Sequence, residues 1–122
     1  MDHRLKKKKQ FAYIYRKGNK KSTRYLSLFV TESKFSAYKI GYSVSKKIGK
    51  ANVRNKVKRR LKEIVRTSEF PKKNHNYVLM VKEGIENLTF AELQNQVKEI
   101  FSKIWKSFLK KYFAYRFIFI NS

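Results

Sequence analysis

The chain has no cysteine, so neither a disulfide nor a cysteine-ligated zinc site is open to it. It is poor in acid as well: eight Asp and Glu stand against 31 Lys and Arg, a formal net charge of +23 over 122 residues. The acids are Asp2, Glu32, Glu63, Glu69, Glu83, Glu86, Glu92 and Glu99, scattered along the chain with no close DxD or ExD pair. A protein nuclease that uses two metal ions needs carboxylates converging on ions about 4 Å apart, so catalysis by this chain alone is not expected. His3 and His75 fall in a terminus and a loop, poor positions for a general base. Long apolar runs are missing too. "YFAYRFIFI" near the C-terminus contains Arg116 and falls well short of the ~20 apolar residues of a membrane span. "MDHRLKKKKQFAYIYRKG" lacks the apolar stretch of a secretory signal. These absences lead to the expectation of a soluble cytoplasmic protein that makes no membrane contact.

What is present points to a folded, polyanion-binding chain. Hydrophobic residues make up 42% and aromatics 16%, too much for disorder over most of the length. The length predicts a single domain over residues 1–122. Its charge would repel itself unless an anion offsets it, and nucleic acid fits that role best, because Lys and Arg release the counterions condensed on a phosphate row.

Hydrophobic spacing predicts the elements. Phe11, Ile14 and Tyr15 make one stripe of a short helix that Gly18 can close as a C-terminal cap, with Lys6 to Lys9 as a basic arm before it. In "RYLSLFVT", Leu26, Leu28 and Val30 alternate with Tyr25, Ser27, Phe29 and Thr31, as in a strand with one face in a core. "YKIGYSVS" repeats the alternation, and the short "ESKFSA" between them predicts an antiparallel hairpin. "TSEFPKKNHN" closes the next helix, with Pro71 as its stop, and the wholly apolar "YVLMV" suits a strand covered on both faces. Thr89 and Glu92 form a capping box, and Leu88 and Leu93 occupy the positions of a hydrophobic staple. From there Leu93, Val97, Ile100, Ile104 and Phe108 trace the stripe of a last helix. The order is helix, two or three strands, helix, strand, helix, taken as αβββαβα: an α+β sandwich of about four strands and three helices.

"ANVRNKVKRRLKEIVR", residues 51 to 66, is the most unusual segment. Val53, Val57, Leu61, Ile64 and Val65 share an arc of about 120°, while Asn55, Lys58, Arg59, Lys62 and Arg66 project opposite. A solvated helix kept basic for solubility would mix its signs, whereas this one is almost wholly cationic. The aromatics Phe11, Tyr15 and, foremost, Phe29 either pack in the core or line a groove where unpaired bases stack.

"GYSVSKKIGKANVRNKVKRRLKE", residues 41 to 63, resembles the protein subunit of bacterial ribonuclease P. The likeness rests on SVSKK at Ser43 to Lys47, on Gly49 and Ala51, and on an RNR signature read as Arg54, Asn55, Lys58, Arg59 and Arg60. "LKKKKQFAYIYRKG", "RYLSLFV" and "LTFAEL" agree in order and spacing, so it spans roughly residues 5 to 105. It implies the same sandwich, with a left-handed crossover through the RNR helix against the usual right-handed rule. It also implies a division of labour: a catalytic RNA with magnesium removes the 5′ leader of precursor tRNA by endonucleolytic hydrolysis, and this chain assists as its protein subunit. The magnesium would be held mainly by the RNA. By the same resemblance Phe11, Tyr15 and Phe29, rimmed by Lys46 and Lys47, would hold the single-stranded leader. Arg54, Asn55, Lys58, Arg59, Arg60 and Lys62 would face the catalytic RNA.

Lys56 stands where many members carry Arg, which keeps the charge and loses the planar fork. The aromatic and basic tail, residues 106–122, departs from the pattern; it extends the last helix, packs over an edge, or is disordered. The rival reading of the whole chain is a structural RNA-binding protein of the ribosomal type. No protein partner is indicated.

Overall fold

The computed structural model describes residues 3–121, with side chains as far as residue 110. Helix α1 spans Lys8–Lys17, strands β1, β2 and β3 span Asn19–Ser22, Leu26–Glu32 and Lys39–Ser43, helix α2 spans Ala51–Arg66, strand β4 spans His75–Val81, and helix α3 spans Phe90–Asn121. The strands form one mixed sheet in the order β1-β2-β4-β3.

The sheet order corrects one expectation. β2 and β3 do not form a hairpin: β2 pairs antiparallel with β4, and β4 pairs parallel with β3. The reason lies in β4. Its Tyr77, Val78 and Leu79 are all buried, so the strand is stable only where both of its faces are covered, which places it between the other two. β2 instead forms its tight connection backwards to β1, with Lys20 opposite Phe29 and Ser22 opposite Ser27. At the other edge residues 3–5 run beside β3, the Ile40 N–H donating to the His3 carbonyl at 2.8 Å and the Leu5 N–H to the Ile40 carbonyl at 3.1 Å. One edge is thus lined by lysines and the other partly paired, both of which discourage edge-to-edge association.

The two faces of the sheet are covered unequally. Leu26, Leu28 and Val30 of β2, Ile40 of β3 and Tyr77, Leu79 and Val81 of β4 meet the apolar rows of α2 and α3. α2 brings Val57, Leu61, Ile64 and Val65, with Val53 at the margin, as its spacing predicts. α3 brings Leu93, Val97, Ile100, Phe101 and Ile104. Burying one such side chain contributes about 1.5 to 3 kcal/mol, so this layer dominates the stability. The Tyr77 hydroxyl, on the buried central strand, accepts a hydrogen bond from the Lys72 N–H at 2.8 Å. On the opposite face α1 alone packs down, burying Leu5, Ile14, Phe29 and Val78.

The helix ends follow their sequence signals in part. α3 begins with the expected box: the Thr89 N–H donates to Glu92 Oε1 at 3.0 Å and the Glu92 N–H to Thr89 Oγ1 at 3.2 Å. Those bonds, the backbone one foremost, hold the Glu92 carboxyl below its ordinary range. α2 ends ahead of Pro71, where Thr67 Oγ1 donates to the Glu63 carbonyl and Ser68 Oγ to the Val65 carbonyl. Gly18 closes α1 in an extended conformation rather than a left-handed one. Glycine is needed there for space, since a Cβ would come within 2.5 Å of the Ile14 carbonyl oxygen. The backbone of α3 runs on to Asn121, so the tail extends the last helix; what its side chains beyond residue 110 pack against lies outside the described residues.

Candidate nucleic-acid interface

α1 is too short to cover its face of the sheet, and the strip it leaves open is the first candidate site. Strand register lays three rows across that face. Lys20, Phe29, Val78 and Gly41 make the middle row, and Ser22, Ser27, Met80 and Ser43 the row beside it. α1 crosses the middle row. A Cβ on Gly41 would fall inside the Phe11 ring, so this glycine is what lets α1 lie so close to β3. Farther along, the Tyr15 ring stands edge-on to Phe29 at 4.9 Å between centroids, and Lys20 Nζ lies 5.4 Å from the Phe29 centroid on the β1 side.

The aromatics are therefore not equivalent. Phe29 is only 8% exposed, a floor residue under α1, while Phe11 and Tyr15 are half-buried and keep part of their rings open beside Met80. In the serine row Ser22 is exposed and Ser43 half-buried, while Ser27 is buried with its hydroxyl bonded to that of Ser22 at 2.8 Å. Three residues past Ser43 the chain enters a 3-10 turn at Lys46–Ile48, where Lys46 and Lys47 are exposed beyond the end of β3. Sequence reasoning did not single out Ser22, Ser27, Ser43, Met80 or Lys20. Their common row exists only once β4 lies between β2 and β3.

The second candidate surface is α2. Gly49 precedes it with φ 151° and ψ −167°, a conformation that side chains avoid, and this sets the angle at which the helix leaves the turn. Asn55, Arg59 and Lys62 are exposed on the side away from the sheet, and Lys58 and Arg60 are half-buried on its flanks. Glu63, the helix's one acid, is taken up by Arg66, whose Nη2 and Nε donate to it at 2.7 and 3.2 Å. Arg54 is placed differently from the rest. It lies seven residues before Leu61, on the docked side of the helix, and its buried Nε has no hydrogen-bond partner. That seven-residue spacing was the available signal for its position.

Both histidines are engaged in packing. His3 stacks on Tyr38 at 3.9 Å, with its Nδ1 2.8 Å from the Tyr38 carbonyl. His75 lies edge-on to Trp105 with Nδ1 2.7 Å from the Lys73 carbonyl. Burial pushes the Tyr42 and Tyr77 hydroxyls well above the ordinary tyrosine value, so both stay protonated. Among the described residues no three His, Asp or Glu side chains converge to hold a metal ion. No described helix is long and apolar enough to cross a membrane.

Comparison with known proteins adds three findings. Residues 1–105 match the family model described as Ribonuclease P. Proteins called "Ribonuclease P protein component" from Clostridium acetobutylicum and Clostridium botulinum (strain Langeland) are 34% and 30% identical to this chain, each over 84% of it and over 88% and 94% of their own length. The RNase P protein of Staphylococcus aureus superposes with a TM-score of 0.76 at 28% identity, over 85% of this chain and 96% of that one. The Thermotoga maritima RNase P protein, 22% identical with a TM-score of 0.74 over 82% of this chain and 96% of its own, shares the fold.

Proposed function

Because the chain belongs to the ribonuclease P protein family, a protein subunit that works with ribonuclease P RNA in tRNA processing, we propose that it divides that work between two surfaces. The groove beside α1 takes the single-stranded 5′ leader of precursor tRNA. The outer side of α2 takes the catalytic RNA.

The observation that carries this reading is the partial exposure of Phe11 and Tyr15. A covered sheet would bury both rings, whereas here each keeps open surface on the face that also carries Ser22 and Ser43, with Lys20 on the β1 side and Lys46 and Lys47 beyond β3. Bases of any identity stack on such rings for about 1 to 3 kcal/mol each, and the lysines pair with the phosphates between them. Phe29 acts from below, holding Tyr15 in place. On α2, the exposed Arg59 and Lys62 reach outward to phosphates.

The chain's residues bind and orient RNA. Hydrolysis of the phosphodiester, an endonucleolytic step, belongs to the catalytic RNA with its magnesium, which supplies Lewis-acid stabilisation of the reacting oxygens. The scattered carboxylates support this assignment, as does the engagement of both histidines in packing. The site of action is the cytoplasm, where precursor tRNA is made. Reconstitution tests the reading: with its cognate RNA the protein raises cleavage of leader-bearing precursor tRNA at low magnesium. Absence of stimulation, or cleavage by the protein alone that survives repeated purification, overturns it.

A further inference from the structure

A third cationic feature lies at the β1 edge, remote from α2 and touching the leader strip only at Ser22. Lys103, Lys106 and Lys110 occupy one side of α3, and with Lys21 of β1, Ser22 and Ser107 they line a groove of about 310 Å³ at the β1 edge. Among the described residues no carboxylate and no aromatic ring contributes to its lining. Lys103 Nζ is held 3.4 Å from the Ser22 carbonyl, which ties the helix side of the groove to the strand. From Lys103 to Lys110 the helix rises ~10 Å. A nucleic-acid strand offers about two or three phosphates over that distance.

The groove meets the leader strip at Ser22, but its lysines lie on the other side of β1 and it is remote from α2. β1 and β3 are the two edges of the sheet, so about 14 Å of sheet separates them at the usual strand spacing. α2 lies toward the β3 edge, where Lys62 meets Tyr42 in a shared cleft. Lys21 pairs in register with Leu28, whose side chain is in the α2 and α3 layer, so it points away from the face that carries the leader groove.

We infer that the groove of Lys21, Lys103, Lys106 and Lys110 binds a second segment of RNA through its phosphodiester backbone, without reading sequence. Ammonium and hydroxyl donors recognise phosphate oxygens, and none of the described lining residues stacks on a base or offers an apolar side chain to a lipid surface. The inference rests on the proposed function for the identity of the polyanion, whose source is either the catalytic RNA or the precursor tRNA. Occupying the β1 edge while α2 holds the catalytic RNA makes the protein a spacer between two RNA segments.

The test uses the full chain carrying Lys103→Gln, Lys106→Gln and Lys110→Gln together. A control loses the same charge elsewhere, at Lys34, Lys73 and Lys98. One arm measures binding to the catalytic RNA alone and the other measures binding of precursor tRNA to the assembled holoenzyme, each as a function of salt. In the arm whose RNA docks there, the groove variant lowers the slope of log affinity against log salt by about 2 to 3 in magnitude and weakens binding roughly tenfold. The triple Lys→Arg variant restores both. Salt slopes equal to the control in both arms overturn the inference, as does a loss confined to anionic phospholipid vesicles. Wild-type protein that fails to stimulate cleavage counts against the proposed function; wild-type stimulation with unchanged slopes counts against this groove alone.

Discussion

The two faces of the sheet differ in how completely they are covered. Under α2 and α3 the strands meet two amphipathic helices, and the apolar rows from Leu26 to Val81 and from Val57 to Ile104 are buried, with a cleft left only at the β3 margin beside Tyr42. Under α1 a ten-residue helix covers only the middle row, and Ser22, Ser27, Met80 and Ser43 run alongside it. One face holds the fold together, and the other spends little of its surface on stability and keeps a groove for a ligand. Substitutions on the two faces should therefore separate folding from binding.

The largest effect belongs to the closed face. Leu61→Ala, at the centre of the α2 row, should cost about 2 to 5 kcal/mol of stability in denaturant unfolding. Affinity for either RNA, expressed per folded molecule, should be unchanged. A drop in that corrected affinity would mean the two faces are coupled. Gly41→Ala works on the boundary between them: its Cβ meets the Phe11 ring, lifts α1, and should cost about 1 to 3 kcal/mol while also weakening leader binding. If leader affinity survives the melt, α1 is not the wall of the groove.

Tyr15→Ala should leave stability nearly intact and lose about 1 to 3 kcal/mol of binding to leader-bearing precursor, with little change for mature tRNA. Equal losses for the two ligands would assign Tyr15 to packing. Phe29→Ala is the less clean version, because this ring is buried under α1 and its loss also destabilises the fold.

The smallest effect sits at the start of α3. Glu92 has its folded-state carboxyl depressed by its bonds with Thr89, so its contribution is present above the unfolded carboxyl value and fades as pH falls through the lower folded one. Glu92→Gln should flatten that acid-side dependence, read from melts between neutral and acidic pH, while Thr89→Ala, which keeps the Thr89 N–H, should cost about 1 kcal/mol near neutral pH. An acid limb unaltered in Glu92→Gln would show that the depressed carboxyl does not stabilise the helix.

How much of this was legible in the sequence depends on whether the signal was local. The start of α3 was readable because a capping box and a staple fit within six residues, 88 to 93. The two sides of α2 were readable because a 3.6-residue period needs no partner to be seen. The pairing of β2 was misread because an adjacent strand and a short loop favour a hairpin, while the competing demand, covering both faces of β4, arises some forty residues away. β1 was hidden because "NKKS" is an edge strand whose lysines face solvent rather than a core, so it shows no apolar alternation. Of the candidate site, Phe11 and Tyr15 were named from helical spacing, and Phe29 from strand alternation that marked its face without showing that α1 covers it. The serine row and Lys20 depended on register across three strands, which no local pattern encodes.

The central claim is that the open strip beside α1 holds the precursor's single-stranded leader. It is tested most directly by binding the holoenzyme to a series of precursor tRNAs whose leaders lengthen one nucleotide at a time. Affinity should rise over the first several nucleotides, as bases and phosphates fill the strip between Lys46 and Lys20, and then level off, with the rise blunted in Tyr15→Ala. Affinity independent of leader length in the wild-type holoenzyme would contradict it.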